Sequence, residues 1–332
     1  MSSNKLHLSQ PNKLPTPDDL LRIHTPRALT RRAALRNIAW GAALPFVAPS
    51  VLLAAGATAT GAYPNASDVP HDKNSAPLKT THQLKLGVAT ISLHALSLDA
   101  AIAVLKRLDL KYISLYKTHA PWGSDPDKCR AAAEKVRAAG LTLMATGVVN
   151  LPNDEAVVEK AFACAEAAHL PVMTCRPDPA AFSLIERYVK KHDIKLAIHN
   201  HGPEDKIYPS PIEAWKLIQA YDARIGLCMD VGHSTRAGVD SVAAIKKCAP
   251  RIYDFHIKDT IGVIGKPDIP VEIGRGYIDI PAVLRALVDV NYAYQVGIEN
   301  EVDEVKGHEK EDPIPSVAED AGYLRGVLRA LS

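Results

Sequence analysis

Gly226-Leu227-Cys228-Met229-Asp230-Val231-Gly232-His233-Ser234 reads as a short buried strand that ends in an acid, a glycine and a histidine. An aspartate at the end of an apolar strand is costly unless it is paired or bound to a cation. Gly232 lets the chain turn sharply after it, and His233 is thrown back over the same end. The plainer alternative is an aspartate that caps a helix, with His233 on the surface. Three further strand ends favour the first reading. Lys195–His201 ends in His199 and His201, Tyr253–Asp259 carries His256 and Lys258, and Tyr294–Glu301 carries Glu299 and Glu301. All four are apolar runs whose metal-type or acid–base side chains gather at the C-terminal end. In a parallel β/α barrel those ends form the active-site face.

Working outward, the chain alternates strands and helices. Strands are expected at Lys85–Leu93, Lys111–Lys117, Leu141–Val149, Val172–Cys175, Lys195–His199, Arg224–Met229, Tyr253–Ile257 and Tyr294–Ile298. Helices are expected at Leu98–Leu110, Asp127–Ala139, Asp154–His169, Ala180–His192, Pro211–Ala220, Val239–Cys248, Ile280–Val288 and Val317–Leu331. The apolar spacing of i, i+3, i+4 carries the helices. Ser97 offers an N-cap, and Pro126 and Gly140 punctuate the second helix. Eight such pairs in about 250 residues fit a (β/α)8 TIM barrel. A doubly wound sheet would show a glycine-rich phosphate loop after strand one, and none follows here.

Residues 1–59 have a different character. Thr30-Arg31-Arg32-Ala33-Ala34-Leu35-Arg36 precedes an Ala- and Gly-rich stretch, Ile38 to Ala59. It resembles a twin-arginine export signal, with Ala34 in place of the usual Phe and Ala57-Thr58-Ala59 as a small-residue cleavage site. Pro45 and Pro49 make the stretch a poor membrane span, so no membrane anchor is expected after cleavage. Residues 60–84 read as a flexible linker, and 85–332 as the catalytic barrel. The expected compartment is the periplasm, and the expected partner is the twin-arginine machinery.

Charge and composition exclude some functions. Seven of the 39 Lys/Arg and two of the 37 Asp/Glu lie in residues 1–59, leaving 32 and 35, a net of −3 for the body. Aromatics make up 5% of the chain. A nucleic-acid binder would want a basic groove or stacking aromatics, so nucleic acid is not an expected partner. The five cysteines (129, 164, 175, 228, 248) form no CxxC pair and are read as buried thiols.

The motifs DVGH, HIKD, GIENE and LAIHNH, in that barrel, resemble the xylose-isomerase-like TIM-barrel superfamily, over roughly residues 85–330. This group includes sugar isomerases and epimerases, hydroxypyruvate isomerase, inosose dehydratase and endonuclease IV. The resemblance implies one divalent ion held by Asp230, His256 and Glu299, with His233 touching substrate. The family's strand-five glutamate falls on Ala197. His199, two residues on and on the same strand face, is the expected replacement, with His201 in reserve and Glu301 able to exchange roles with Glu299. A His/carboxylate set suits Mn²⁺, Zn²⁺, Fe²⁺ or Co²⁺ better than Mg²⁺ or Ca²⁺.

Loss of one glutamate disfavours two-base epimerisation and leaves a one-base reaction. Glu299 would take the proton α to a carbonyl, Lys258 would stabilise developing charge, and His233 would assist. Lys117, His119, Trp122, His201, Glu204 and Arg275 are the expected substrate contacts. The function implied is metal-dependent isomerisation or epimerisation of an unphosphorylated sugar or keto-glycoside. Lysis or hydrolysis of a 3-keto-glycoside by β-elimination is the alternative. An endonuclease-IV-like nuclease and a non-catalytic sugar-binding barrel are the rivals.

Overall fold

A computed structural model describes residues 84–262, 264, 268–305 and 312–332. The export-signal and linker readings, Arg31 and Arg32 included, fall outside the described residues. Nine strands form one sheet in the order β3-β2-β1-β11-β8-β7-β6-β5-β4. They are β1 (Lys85–Ala89), β2 (Tyr112–Leu115), β3 (Thr142–Thr146), β4 (Val149–Leu151), β5 (Val172–Pro177), β6 (Lys195–His199), β7 (Ile225–Asp230), β8 (Ile252–Ile257) and β11 (Gln295–Ile298). Every neighbouring pair is parallel, and a β3–β5 pairing at Ala145↔Val172 closes the sheet. The short β9 (Asp259–Thr260) and β10 (Pro270–Val271) make an antiparallel hairpin beyond β8.

The eight expected strands become nine because the third is broken. At Gly147 the amide donates to Leu115 O (2.6 Å), and a Cβ there would lie 2.9 Å from Tyr116 Cα. The chain therefore leaves β2 and resumes as β4 against β5. The first strand is shorter than expected. Thr90–Leu93 is a 3-10 turn, fixed where Ser92 Oγ donates to Ile298 O (3.2 Å) and accepts from Asn300 N (2.8 Å). The barrel nonetheless closes with helices between its strands, so the fold is a (β/α)8 TIM barrel.

The helices are α1 (Leu98–Arg107), α2 (Pro126–Ala138), α3 (Glu155–Ala167), α4 (Phe182–His192), α5 (Pro211–Ile218), α6 (Val231–Arg236), α7 (Ser241–Cys248), α8 (Ile280–Asp289) and α9 (Pro313–Leu331). Ser97, Asp125, Asp154, Ser210, Asp240, Asp279 and Asp312 each accept a first-turn amide at a helix start, which satisfies donors the helix itself cannot. The closing helix begins at Pro313, four residues before the expected Val317, because Asp312 and Pro313 cap it well. Among the described residues no helix is long and apolar enough to cross a membrane.

The main core lies between sheet and helices, where Ile113, Phe255 and Ile298 meet Leu105, Phe162 and Leu284. Each such side chain contributes roughly 1.5–3 kcal/mol by leaving water. A separate small cluster, Ala145, Val172, Ala197, Cys228 and Tyr253, fills the barrel's interior. Its small side chains plug the barrel below the C-terminal strand ends, which leaves those ends to form the site.

Candidate functional site

Asp230 organises the site. As the last residue of a wholly buried strand it meets two demands at once. Its Oδ1 accepts from His233 N (2.7 Å), capping α6 as the plainer alternative for this turn has it. Its Oδ2 points the other way, 3.2 Å from Lys258 Nζ and 3.7 Å from His199 Nε2. The cap uses one carboxylate oxygen and leaves the other turned toward Lys258 and His199. Asn200, unmarked in the sequence reading, clamps the turn: its Nδ2 donates to Asp230 O and its Oδ1 accepts from Asp230 N, both at 3.0 Å.

One ligand atom from each of His199, Asp230, His256 and Glu299 lies within 4.8 Å of all the others, and all four residues are buried. His199 Nε2 and His256 Nδ1 are 3.0 Å apart, and Glu299 Oε2 touches His256 Nδ1. Asp230 Oδ2 has its ion pair with Lys258 but no aligned hydrogen bond, and His199 Nδ1 has none either. Lone pairs crowd toward one point, with a buried carboxylate oxygen not fully satisfied. That is the environment a divalent cation relieves, so the donors fit a metal ion. A second grouping replaces Asp230 and Glu299 by Cys228.

Lys258 is the other positive element. Its ammonium lies 3.0 Å from Glu299 Oε1, 2.7 Å from Glu301 Oε2 and 3.3 Å from His233 Nε2. Its stem reaches the cluster only because residue 232 is glycine. A Cβ there would sit 2.7 Å from Lys258 Cγ. Burial works against the ammonium, but Asp230, Glu299 and Glu301 raise its pKa well above the ordinary lysine value. Burial likewise opposes ionised Glu299, yet Lys258 and His256 hold it well below the usual carboxylate range. For Asp230 burial outweighs the pull of Lys258 and pushes the carboxyl up to about 6. Burial keeps His199 and His233 neutral, each well below the ordinary histidine value.

A cavity of about 280 Å³ opens above the cluster. Its inner end is lined by His199, His201, His233, His256, Glu299 and Glu301, and its opposite wall by Thr90, Ser114, Tyr116, Lys117 and Asn150. Of the expected substrate contacts, His201 and Lys117 therefore face this space. The others point elsewhere. His119 is buried, with Nδ1 2.8 Å from Thr90 Oγ1 and Nε2 3.0 Å from Leu96 O. Trp122 packs on the core and donates from Nε1 to Leu115 O (2.6 Å). Arg275 is exposed and pairs with Glu319 on α9 at 2.6 Å. Glu204 is bound to Arg236, whose Nη1 is 3.4 Å from His233 Nδ1 and 3.5 Å from Asp268 Oδ2. Asp268 and Asp254 were missed. Asp254 lies two residues before His256 on the same strand, so the period of two turns it to the same face.

Comparisons with known proteins bear on the fold. The family model described as xylose isomerase-like TIM barrel matches residues 180–327, the stretch holding all four ligand candidates. The IOLI protein, solved with a zinc atom, superposes with a TM-score of 0.63 at 15% identity, covering 75% of this chain and 99% of that one. The 3-keto-D-glucoside 4-epimerase of E. coli superposes with a TM-score of 0.57 at 14% identity, covering 74% of this chain and all of that one. In sequence, the protein named Probable endonuclease 4 of Thermoplasma volcanium is 28% identical over 113 residues, 31% of this chain. The chain spans 40% of that relative's length. The fold is a (β/α)8 TIM barrel, and the solved structures it resembles include sugar epimerases.

Proposed function

We propose that this protein is a divalent-metal-dependent enzyme that removes a proton α to a carbonyl on an unphosphorylated sugar or keto-glycoside. The single observation that carries the reading is the convergence of His199, Asp230, His256 and Glu299 at the closed end of a cavity. When bound, a divalent ion would supply Lewis-acid polarisation of the carbonyl. Glu299 is the base: its carboxylate is ionised and lines the cavity. Lys258, buried behind Glu299 and Glu301, would offset negative charge as it develops on the substrate oxygen. His233 stays neutral beside Lys258 and can pass a proton to or from a substrate hydroxyl. Thr90, Ser114 and Asn150 offer hydrogen bonds to other hydroxyl groups.

The family resemblance implies a glutamate at Ala197, and His199 two residues on is its expected replacement, which supports a single base on one face of the substrate. Isomerisation, and β-elimination from a 3-keto-glycoside, both fit a single base; epimerisation needs the proton returned to the opposite face. The export signal read in residues 1–59 supports action in the periplasm, where unphosphorylated sugars are the available substrates. Arg31→Lys with Arg32→Lys should hold the protein in the cytoplasm, and normal export of that variant sinks the location.

Partial sequence similarity to Probable endonuclease 4 raises a nuclease reading. The body's net charge of −3 gives it no electrostatic support, and cleavage of abasic DNA would establish it. The main test is elemental analysis of the purified protein, followed by turnover of oxidised glycosides in heavy water. Bound metal and deuterium incorporation at the α-carbon are expected. Absence of metal, with no activity on adding divalent ions, leaves a sugar-binding barrel instead.

A further inference from the structure

Beneath the metal cluster, inside the barrel, lies a buried carboxylate that the proposed chemistry does not use. Asp254 is 1% exposed. A carboxylate at such a depth is costly unless it is hydrogen-bonded, and Asp254 is held from two sides. Its Oδ1 accepts from Phe255 N (3.0 Å), and its Oδ2 accepts from Thr174 Oγ1 (2.8 Å). Thr174 is itself fixed, because its amide donates to Thr146 Oγ1 (2.9 Å), whose hydroxyl donates to Thr174 O (3.1 Å). The same Asp254 Oδ2 lies 3.5 Å from His256 Nε2, a nitrogen with no closer hydrogen-bond partner.

We propose that Asp254 is a positioning residue that fixes the ring orientation and tautomer of His256. The inference rests on the reading of His256 as a metal ligand. A neutral imidazole has one N–H and one lone pair. Asp254 can only accept, so it takes the N–H at Nε2. Without a cation Nδ1 donates to the Glu299 carboxylate it touches; a bound cation would replace that proton and, with the N–H kept at Nε2 by Asp254, would meet the Nδ1 lone pair beside His199 and Glu299. The carboxylate also prevents the ring from turning over and makes Nδ1 a better donor to a cation. Cys228, which belongs to the alternative grouping with His199 and His256, is the competing neighbour, but a thiol is a weak acceptor.

Asp254→Asn tests this with almost no change of volume. Phe255 N can only donate, so it keeps the amide oxygen. The NH₂ group then faces His256 Nε2 and drives the ring proton to Nδ1, the nitrogen meant for the metal. The expected result is a roughly 10–100-fold weaker affinity for Zn²⁺ or Mn²⁺ by chelator competition. In Zn²⁺-loaded protein the Nε2–H of His256 should lose its protection from solvent exchange, with the thermal midpoint of the metal-free protein little changed. Should Asp254→Asn fail to fold, Thr174→Val loosens the same carboxylate and should weaken metal affinity several-fold. Wild-type affinity together with unchanged protection of the His256 Nε2–H overturns the inference. A wild-type protein that binds no divalent ion overturns the metal reading beneath it, which is a separate outcome.

Discussion

Around the barrel mouth, β6, β7, β8 and β11 deliver His199, Asp230, His256, Lys258 and Glu299. On the opposite side β1 to β4 and their loops deliver Thr90, Ser114, Tyr116 and Asn150. The first half is a network in which each charge touches another. Lys258 alone lies within ion-pair distance of Asp230, Glu299 and Glu301. The second half offers hydroxyls, an amide and Lys117 at the rim. The family-model match, residues 180–327, falls on the networked half. The difference teaches that the chemistry is a collective property of one half, held by mutual contact. The other half has latitude to fit a particular ligand. If that is correct, substitutions in the two halves should fail in different ways.

The largest failure should come from Lys258→Met. It leaves three buried or half-buried carboxylates without their common counter-charge. In chelator-treated protein, denaturant unfolding should show a loss of about 3–5 kcal/mol, the usual consequence of breaking a buried ion pair from one side. Adding a divalent ion should narrow the gap with wild type, since the ion supplies positive charge to Asp230 and Glu299. Unchanged stability without metal would mean that the network does not bear on the fold.

Next comes the choice between adjacent histidines. His199→Ala removes a ligand candidate and should cost metal affinity well beyond ~100-fold, more than an outer partner does. His201→Ala should keep the metal, because its Nδ1 faces Asp205 at 3.6 Å and its ring stands 4.5 Å, centroid to centroid, from His199. Its turnover should fall instead. If His201→Ala empties the site, the two histidines have exchanged roles.

Gly232→Ala should act more mildly and through a neighbour. The added methyl meets Lys258 Cγ and forces the lysine stem aside. A destabilisation of about 1–3 kcal/mol is expected, with a drop in turnover that exceeds any change in metal content. Equal turnover would show that Lys258 tolerates displacement.

The two halves also differ in how much of them was legible in the sequence. Strand ends were readable because side chains alternate along a strand. Asp230, His256 and Glu299 close apolar runs, and the same period reaches from Ala197 to His199. Asp254 obeyed that rule as well, but an aspartate two residues before a histidine carries no mark of what lies beneath it. The loops were less readable. His119 and Trp122 follow β2 in a segment with no period to say which way a side chain points, and both turn inward. Arg275 is drawn outward by Glu319, 44 residues later on α9. Such pairings over long separations leave no local trace. The short α6 stood only as the plainer alternative for this turn because Val231, Gly232 and Thr235 are weak helix formers. It exists because Asp230 caps it and the barrel packs it.

The smallest expected effect is the one that separates the halves most cleanly. Lys117 lines the cavity on the β1–β4 side, with its ammonium 5.3 Å from the centroid of the Tyr116 ring. It belongs to no described ion pair with the His199–Asp230–His256–Glu299 cluster, so Lys117→Ala should leave metal content untouched and stability within about 0.5 kcal/mol of wild type. Its contribution falls on the bound ligand. A rim ammonium grips the ground state and the transition state alike, and loss of such uniform binding raises KM while kcat stays. Removing one such hydrogen-bonding contact should raise KM about tenfold, equivalent to ~1.4 kcal/mol. Asn150→Ala, on the same wall, should behave the same way. Steady-state kinetics on the identified substrate, run beside metal analysis, decides the matter. A fall in kcat at constant KM would place Lys117 in the chemistry, and a loss of metal would show that the two halves of the mouth are one unit after all.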